Sequence, residues 1–168
     1  PQVDETPQAL EAIRDYVQRM AFSKAAAVQC MQPRPCVVIG ADTVVEVGGE
    51  LLLKPLDVAH ARTLLERLSG REHLVHTAVA ILSPGGCRRK LVSSEVVFRR
   101  LREPEMAAYC RLGEGLDKAG GYAIQGLGAA FVAAVRGSYT AVVGLPLCEV
   151  AEELQDLGYR CWLEPEHE

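Results

Sequence analysis

The sequence lacks the features of a membrane protein or a duplex nucleic acid binder. Its densest apolar run, residues 129–135, has seven residues, whereas a membrane-spanning helix needs about 18 or more. It has no basic block, and its 22 acidic side chains exceed its 18 lysines and arginines, which argues against a duplex nucleic acid partner. With 168 residues, 49% of them hydrophobic, the composition is that of a soluble globular domain. A small anionic substrate is compatible with it, because a few converging lysines can hold a phosphate.

The six cysteines form no C-x-x-C pair, so the close ligand pairs of a zinc loop are missing. Cys36, Cys110 and Cys148 lie within apolar or helical patterns, where a reduced cysteine behaves as a small hydrophobic residue. A domain of this size does not need disulfides for stability. We therefore expect free thiols and a cytoplasmic location.

Several common catalytic motifs are also missing. The sequence contains no P-loop, no G-x-S-x-G, no H-E-x-x-H and no G-x-G-x-x-G after a strand. His73 and His76 are three residues apart on a predicted strand, which places them on opposite faces and argues against a shared metal ion. The chemistry must therefore come from other residues.

Hydrophobic periodicity predicts alternating helices and strands. A first helix is expected from Thr6-Pro7 to residue 31. A buried strand is expected at 36–39, then a hairpin over 44–53 that turns at Gly48-Gly49. Asp57 is expected to cap a second helix. The later predictions are strands at 73–82, 91–101 and 130–135, and helices at 104–112 and 146–157. This interleaving predicts an α/β fold with a mixed sheet.

Asp42 is the residue that chemistry singles out first. It follows a run of apolar strand residues and Gly40, so we expect its carboxylate at a strand end, where ligand sites of α/β proteins collect. The alternative is a turn or capping aspartate. Lys54 ends the returning hairpin and would flank the same cleft. The pair is either a salt bridge or a base beside a phosphate-binding lysine, and the spacing does not separate these two interpretations.

Three other polar residues have both a structural and a functional interpretation. Lys24 lies on the apolar stripe of the first helix, from which it either snorkels to solvent or reaches into a cleft. Lys118 lies with Asp117 in a glycine-rich stretch, residues 113–128. Gln125, in the same stretch, either reads the edge of a base or satisfies nearby backbone groups.

Several motifs follow one another with a characteristic spacing: Gly40-Ala41-Asp42-Thr43, Lys54-Pro55, Leu-Ser-Gly-Arg-Glu-His at 68–73, the glycine-rich stretch at 116–128, and Gly137-Ser138-Tyr139. Together they resemble the Maf family of nucleotide pyrophosphatases, over residues 3–154. The resemblance implies a single Maf-like domain over residues 1–168. The implied fold is an elongated mixed sheet, bent into two lobes around a cleft with flanking helices, related to the inosine triphosphatase architecture.

The resemblance also implies hydrolysis of a nucleoside triphosphate to its monophosphate and pyrophosphate, with Mg²⁺ or Mn²⁺ as the cofactor. The resemblance makes Asp42 the catalytic base, and it makes Asp42 and Glu5 the ligands of the metal ion. It makes Lys24, Lys54 and Lys118 substrate-binding residues. The partner it implies is the nucleotide alone, with no nucleic acid and no membrane, and a homodimer is compatible with it.

Thr43 and Gln125 resemble the branch of the family that prefers dTTP and UTP, rather than the branch that favours 7-methyl-GTP. An amide is both donor and acceptor, which suits the edge of a pyrimidine. The family's opening strand and Ser-x-Ser-Pro-Arg-Arg loop have no counterpart before Pro1. We expect that the sequence has lost its beginning, the alternative being a divergent, inactive member. A competing function is a non-catalytic regulator of cell division that binds a nucleotide or a protein.

Overall fold

The computed structural model describes residues 2–159. Its elements are α1 (Ile13–Gln29), β1 (Val38–Val47), β2 (Glu50–Leu52), α2 (Val58–Leu68), β3 (Glu72–Ser83), β4 (Gly86–Phe98), α3 (Glu103–Leu112), β5 (Val132–Arg136), α4 (Tyr139–Val143) and α5 (Leu147–Asp156). Two short 3₁₀ turns, Ala119–Gly121 and Leu127–Phe131, lie between α3 and β5. Within residues 2–159, no helix combines the length and the apolar character that a membrane crossing requires.

The five strands form one open sheet in the order β2-β1-β3-β4-β5. The α/β class with flanking helices is confirmed, but every strand pairing in the described chain is antiparallel, not mixed as predicted. The reason is connectivity. Tight turns close the β1–β2 and β3–β4 hairpins, and such turns join only antiparallel neighbours. Helix α2 connects β2 to β3, but β1 lies between those two strands, so this crossover creates no parallel pair.

Strand β1 is one continuous strand, whereas the sequence predicts a break before Asp42. Its residues 38–46 all pair with β3, while β2 pairs only with residues 45–47. Residues 38–44 therefore have a neighbouring strand on one side only within the described chain. Asp42 lies in the middle of this strand, beside an open edge of the sheet, and not at a strand end.

The two faces of the sheet are covered differently. Helix α1 packs on the face of β1 that carries Val38 and Val44. On the opposite face, α2 and α3 cover one end around Val45, and α5 covers the other end around Val79 and Ile81. This second face thus carries two separate packed clusters.

Helix α1 begins at Ile13, so the predicted start at Thr6-Pro7 is wrong. The residues before it form neither helix nor strand, and two side chains of the helix bind their backbone. Tyr16 Oη donates to the carbonyl of Glu5 at 2.8 Å, and Arg19 Nη2 donates to the carbonyl of Thr6 at 3.1 Å.

Two other local predictions fare differently. Asp57 caps α2 as expected and accepts a hydrogen bond from the His60 amide at 2.7 Å. The turn predicted at residues 137–139 continues into the short helix α4, because the Ser138 hydroxyl accepts from the Ala141 amide and caps it.

The cysteines within the described chain are free thiols, as the sequence predicts: Cys30, Cys36, Cys87, Cys110 and Cys148. Cys161 lies outside the described residues.

Candidate active site

Four charged side chains from separate segments meet beside β1. Lys24 lies between two carboxylates: its Nζ is 2.9 Å from Glu5 Oε1 and also pairs with Asp42 Oδ1. Lys54, two residues after β2, brings its Nζ to 3.6 Å from Glu5 Oε2. We call these four residues the charged cluster. The structure thus brings together the predicted base, both predicted metal-binding carboxylates and two of the predicted phosphate-binding lysines.

A glycine makes the meeting of Lys24 and Asp42 possible. Gly40 precedes Asp42 on the same face of β1, since side chains two apart in a strand share a face. A Cβ at Gly40 would lie 2.5 Å from the carbonyl oxygen of Ala21 and 2.6 Å from the amide of Ala25. Only glycine therefore allows α1 to approach this closely, and Lys24 lies in the same helical turn.

The cluster shifts the pKa of its members in different directions. Burial raises the pKa of Asp42, whose side chain is only 12% exposed, and the nearby Glu5 charge adds to the rise while Lys24 opposes it. Burial works against the Lys24 ammonium, but hydrogen bonds to Asp42 and Glu5 leave its pKa raised. The hydrogen bond from Lys24 lowers the pKa of the more exposed Glu5. The two carboxylates are thus tuned in opposite directions, with the pKa of Asp42 raised and that of Glu5 lowered.

A cleft of about 240 Å³ is lined by residues from both faces of β1, because the neighbouring Asp42 and Thr43 point to opposite faces. Five of the predicted residues line it: Asp42, Thr43, Lys54, Lys118 and Gln125. The other lining residues are Ala41, Asp117, Ala119, Tyr122, Ala123, Ile124, Val142, Val143 and Gly144. Glu5 and Lys24 are not in the lining and reach the cleft through their ion pairs with Lys54 and Asp42.

The other end of the cleft is mostly neutral. Thr43 points to the opposite face from Asp42, and its Oγ1 is 2.8 Å from Thr77 Oγ1. The Gln125 side chain is exposed and makes no hydrogen bond with other described residues, so its amide is available to a ligand. Lys118 pairs with its exposed neighbour Asp117 at 2.6 Å, which places this lysine at the rim.

Comparison with known proteins decides the family. The family model described as Maf-like protein matches residues 1–157. The chain belongs to the Maf family.

Three similar proteins carry the same printed name. The dTTP/UTP pyrophosphatase of Hahella chejuensis is 46% identical over 162 residues, which cover 95% of this chain and 81% of that protein. That of Salmonella typhimurium is 47% identical over 154 residues, with 92% and 78% covered. That of Syntrophus aciditrophicus is 45% identical over 158 residues, with 93% and 77% covered.

Glu114 is a site residue of this Maf-family chain that sequence reasoning missed. Its carboxylate accepts hydrogen bonds from the amides of Leu127 at 2.9 Å and Gly128 at 3.2 Å. A side chain at Gly126 would collide with this carboxylate. Glu114 therefore fixes the far end of the loop that carries Gln125. An acidic residue between two glycines gave no distinctive signal in the sequence.

Tyr109 fixes the near end of the same loop. It is 4% exposed, and its Oη accepts from the Ala123 amide at 2.9 Å. Gln125 thus lies between two anchored points while its own side chain stays free. A buried tyrosine needs a hydrogen-bond partner for its hydroxyl, so the sequence could indicate that Tyr109 has one. It could not indicate which group that partner is.

The two histidines lie apart, as predicted. His73 Nε2 is 2.9 Å from Tyr122 Oη, and burial lowers the pKa of His73 to about 4, so its ring is neutral and supports the tyrosine that lines the cleft. His76 instead bonds Ser93 and Glu46. Within residues 2–159, no three His, Cys, Asp or Glu residues converge as a metal site.

Proposed function

We propose that this chain hydrolyses dTTP and UTP to the nucleoside monophosphate and pyrophosphate. The carrying observation is that one cleft joins the charged cluster around Asp42 to a neutral end that offers Thr43 and Gln125. A nucleoside triphosphate has the same division, with a polyanion at one end and a neutral, hydrogen-bonding base at the other. The relatives' printed name, dTTP/UTP pyrophosphatase, supports the same substrates.

Asp42 is the proposed base. Water attacks the α-phosphorus, the new P–O bond forms as the bond to the bridging oxygen breaks, and pyrophosphate leaves. Asp42 takes the proton that the water loses. Its raised pKa makes it a stronger base than an ordinary aspartate, which is the direction that general-base catalysis requires.

The lysines are proposed to offset the phosphate charge. Lys54 is 56% exposed and only 3.6 Å from one Glu5 oxygen, so it can turn to a phosphate at small cost. Lys24 is more buried and is bonded to two carboxylates. It therefore holds Asp42 in place and contributes its positive charge without lining the cleft. Lys118 at the rim is proposed to meet the outer part of the substrate.

The carboxylates fit a divalent cation in their chemistry. Mg²⁺ at nucleotide sites is commonly held by one or two carboxylates together with substrate phosphate oxygens. Asp42 and Glu5 are two such carboxylates, both bonded to Lys24, and we propose that they hold Mg²⁺ or Mn²⁺ when the nucleotide supplies the remaining ligands. A bound ion would neutralise phosphate charge and lower the pKa of water.

The remaining expectations belong to the same proposal. Free thiols in the described chain support a cytoplasmic location. Thr43 and Gln125 are proposed to contact the base, because they are neutral side chains of the cleft lining that can form hydrogen bonds. The family match over residues 1–157 supports one domain.

The test is pyrophosphate release by the full-length protein with Mg²⁺ or Mn²⁺, measured on dTTP, UTP, CTP, ATP and GTP. We expect dTTP and UTP to be the best substrates. Equal turnover of purine and pyrimidine triphosphates would contradict the proposed preference. Tight nucleotide binding without any pyrophosphate release would favour the regulator instead, a function that the relatives' names do not support.

A further inference from the structure

We call the part of the cleft around Thr43 and Gln125 its neutral half. The direction of the hydrogen bond that Thr43 makes there is set by Thr77, a buried residue that does not line the cleft. Thr77 on β3 is fully buried, and its Oγ1 is 2.6 Å from the carbonyl oxygen of Ala141 on α4. A carbonyl oxygen can only accept, and a threonine hydroxyl has one proton. The Thr77 proton is therefore committed to Ala141.

This commitment fixes the direction of the next hydrogen bond. Thr43 Oγ1 lies 2.8 Å from Thr77 Oγ1, and one of the two hydroxyls must donate. Because Thr77 has already used its proton, Thr43 donates to Thr77. The Thr43 hydroxyl then has no proton left for a ligand, and it offers the cleft only acceptor lone pairs.

Thr43 is placed to use those lone pairs. It lines the cleft together with Gly144, and a Cβ built on Gly144 would lie 3.7 Å from Thr43 Oγ1. The absence of a side chain at Gly144 leaves the hydroxyl uncovered on that side. The Thr77–Ala141 bond also holds α4, which contributes Val142 and Val143 to the cleft wall.

We propose, on the basis of the proposed function, that Thr77 makes Thr43 an obligatory acceptor and thereby favours pyrimidines that carry a proton at N3 over pyrimidines that carry a lone pair there. Uracil and thymine carry a proton at N3, whereas cytosine presents a lone pair there. A lone pair opposite a hydroxyl that can only accept is repelled and left unpaired, which is the kind of mismatch that polar sites reject strongly. Thr43 is the specificity residue and Thr77 is a positioning residue.

The experiment measures binding of UMP, CMP and N3-methyl-UMP to the full-length protein by calorimetry. We expect UMP to bind about 5- to 150-fold more tightly than CMP, the range expected when a buried polar group loses its partner. N3-methyl-UMP should bind as weakly as CMP, because it lacks the N3 proton. Equal affinity for UMP and CMP, or no measurable affinity for either, would overturn the inference.

Two variant pairs test the direction of the bond. Thr43→Val should lose the preference for UMP, whereas Thr43→Ser should keep it. Thr77→Val frees the Thr43 proton, so CMP should gain affinity as UMP loses some, and Thr77→Ser should restore the parent ratio. Thr63→Val is the matched control, since Thr63 is exposed and bonds only within its own helix.

The outcomes separate this inference from a purely structural role and from the proposed function. If Thr77 only tethers α4, Thr77→Val will weaken UMP and CMP by the same factor, and the inference is wrong. Because binding of a monophosphate requires no turnover, a protein that releases no pyrophosphate but shows the expected UMP preference would refute the proposed function alone. Pyrophosphate release from dTTP and UTP by a protein that binds UMP and CMP equally well would refute the inference alone.

Discussion

The two halves of the cleft are built on different physical principles. The charged cluster is held by ion pairs between segments that are distant in sequence, so each of its members is a partner for another. The neutral half is held by hydrogen bonds that end on backbone groups, from Glu114, Tyr109 and Thr77. We infer that the charged half must exchange partners when a polyanion arrives, whereas the neutral half is already arranged to receive a base.

This contrast explains why the two halves respond to different changes. Removing a charge from the cluster alters the protonation and placement of the remaining charges, so it affects both stability and rate. Removing a group from the neutral half leaves the charges alone and alters the choice of base. Substitutions at residues of each half test this division.

The largest effect is expected at Asp42. Asp42→Asn keeps the shape of the side chain and removes the base, and loss of a general base costs about 10²–10⁴ in rate. The measurement is kcat for dTTP on a variant whose circular dichroism matches the parent. Asp117→Asn is the matched control, because Asp117 lines the same cleft at its exposed rim. Near-parental turnover by Asp42→Asn would remove Asp42 from the catalytic role.

The second effect concerns the amide of Gln125. Gln125→Ala should reduce the preference for dTTP and UTP over ATP and GTP by about 5- to 150-fold, and it should lower the best rate much less. The reason is that its side chain is free of partners in the described chain and lines the neutral half. The measurement is the ratio of kcat/KM values. An unchanged ratio would show that the amide only serves its own loop.

The third effect separates the two lysines. The family resemblance makes both of them substrate-binding residues, but Lys24 also neutralises the buried Asp42. Lys24→Met should destabilise the fold by about 1–3 kcal/mol, between the values for exposed and buried pairs. Lys54→Met, at an exposed pair, should change stability by less than about 1 kcal/mol. Urea denaturation measures both, and equal losses would contradict the contrast.

Lys24→Met should also shift the pH dependence of the reaction. The base acts only when deprotonated, so activity falls as the pH drops through the pKa of Asp42, which burial already raises. Lys24 opposes that rise, and its removal should therefore move the acid limb of kcat/KM to higher pH. In Lys54→Met the acid limb of kcat/KM should move less than in Lys24→Met. The reason is that Lys54 lowers the pKa of Asp42 less than Lys24 does.

The smallest effect is expected at Glu114. Glu114→Gln keeps one good acceptor for two backbone amides, so one of the two hydrogen bonds is weakened, at a cost of about 1 kcal/mol. We expect the KM for dTTP to rise about fivefold with a smaller change in kcat. Glu103→Gln is the control, because Glu103 is exposed and lies at the start of α3. A fall in kcat alone would place Glu114 outside the loop-anchoring role.

The sequence determined much of the local structure by itself. Two consecutive glycines with positive φ close the β1–β2 hairpin at Gly48-Gly49, and Asp57 caps α2. These outcomes need only neighbouring residues, which is why pattern reasoning reaches them. The family resemblance predicted that four distant residues belong to one site: Glu5, Lys24, Asp42 and Lys54. A resemblance carries this long-range information, whereas hydrophobic periodicity does not.

The tertiary structure decided how those residues meet. Whether β1 stops before Asp42 depends on β3, which pairs with it from residue 38 to 46, and no local signal reports a partner strand that lies about thirty residues away. The start of α1 was decided by Tyr16 and Arg19, which bind the backbone of the preceding residues. The direction of the Thr43 hydrogen bond was decided by Thr77 and a carbonyl on α4. Hydrogen-bond direction depends on every partner of a hydroxyl at once, and only the folded chain brings those partners together.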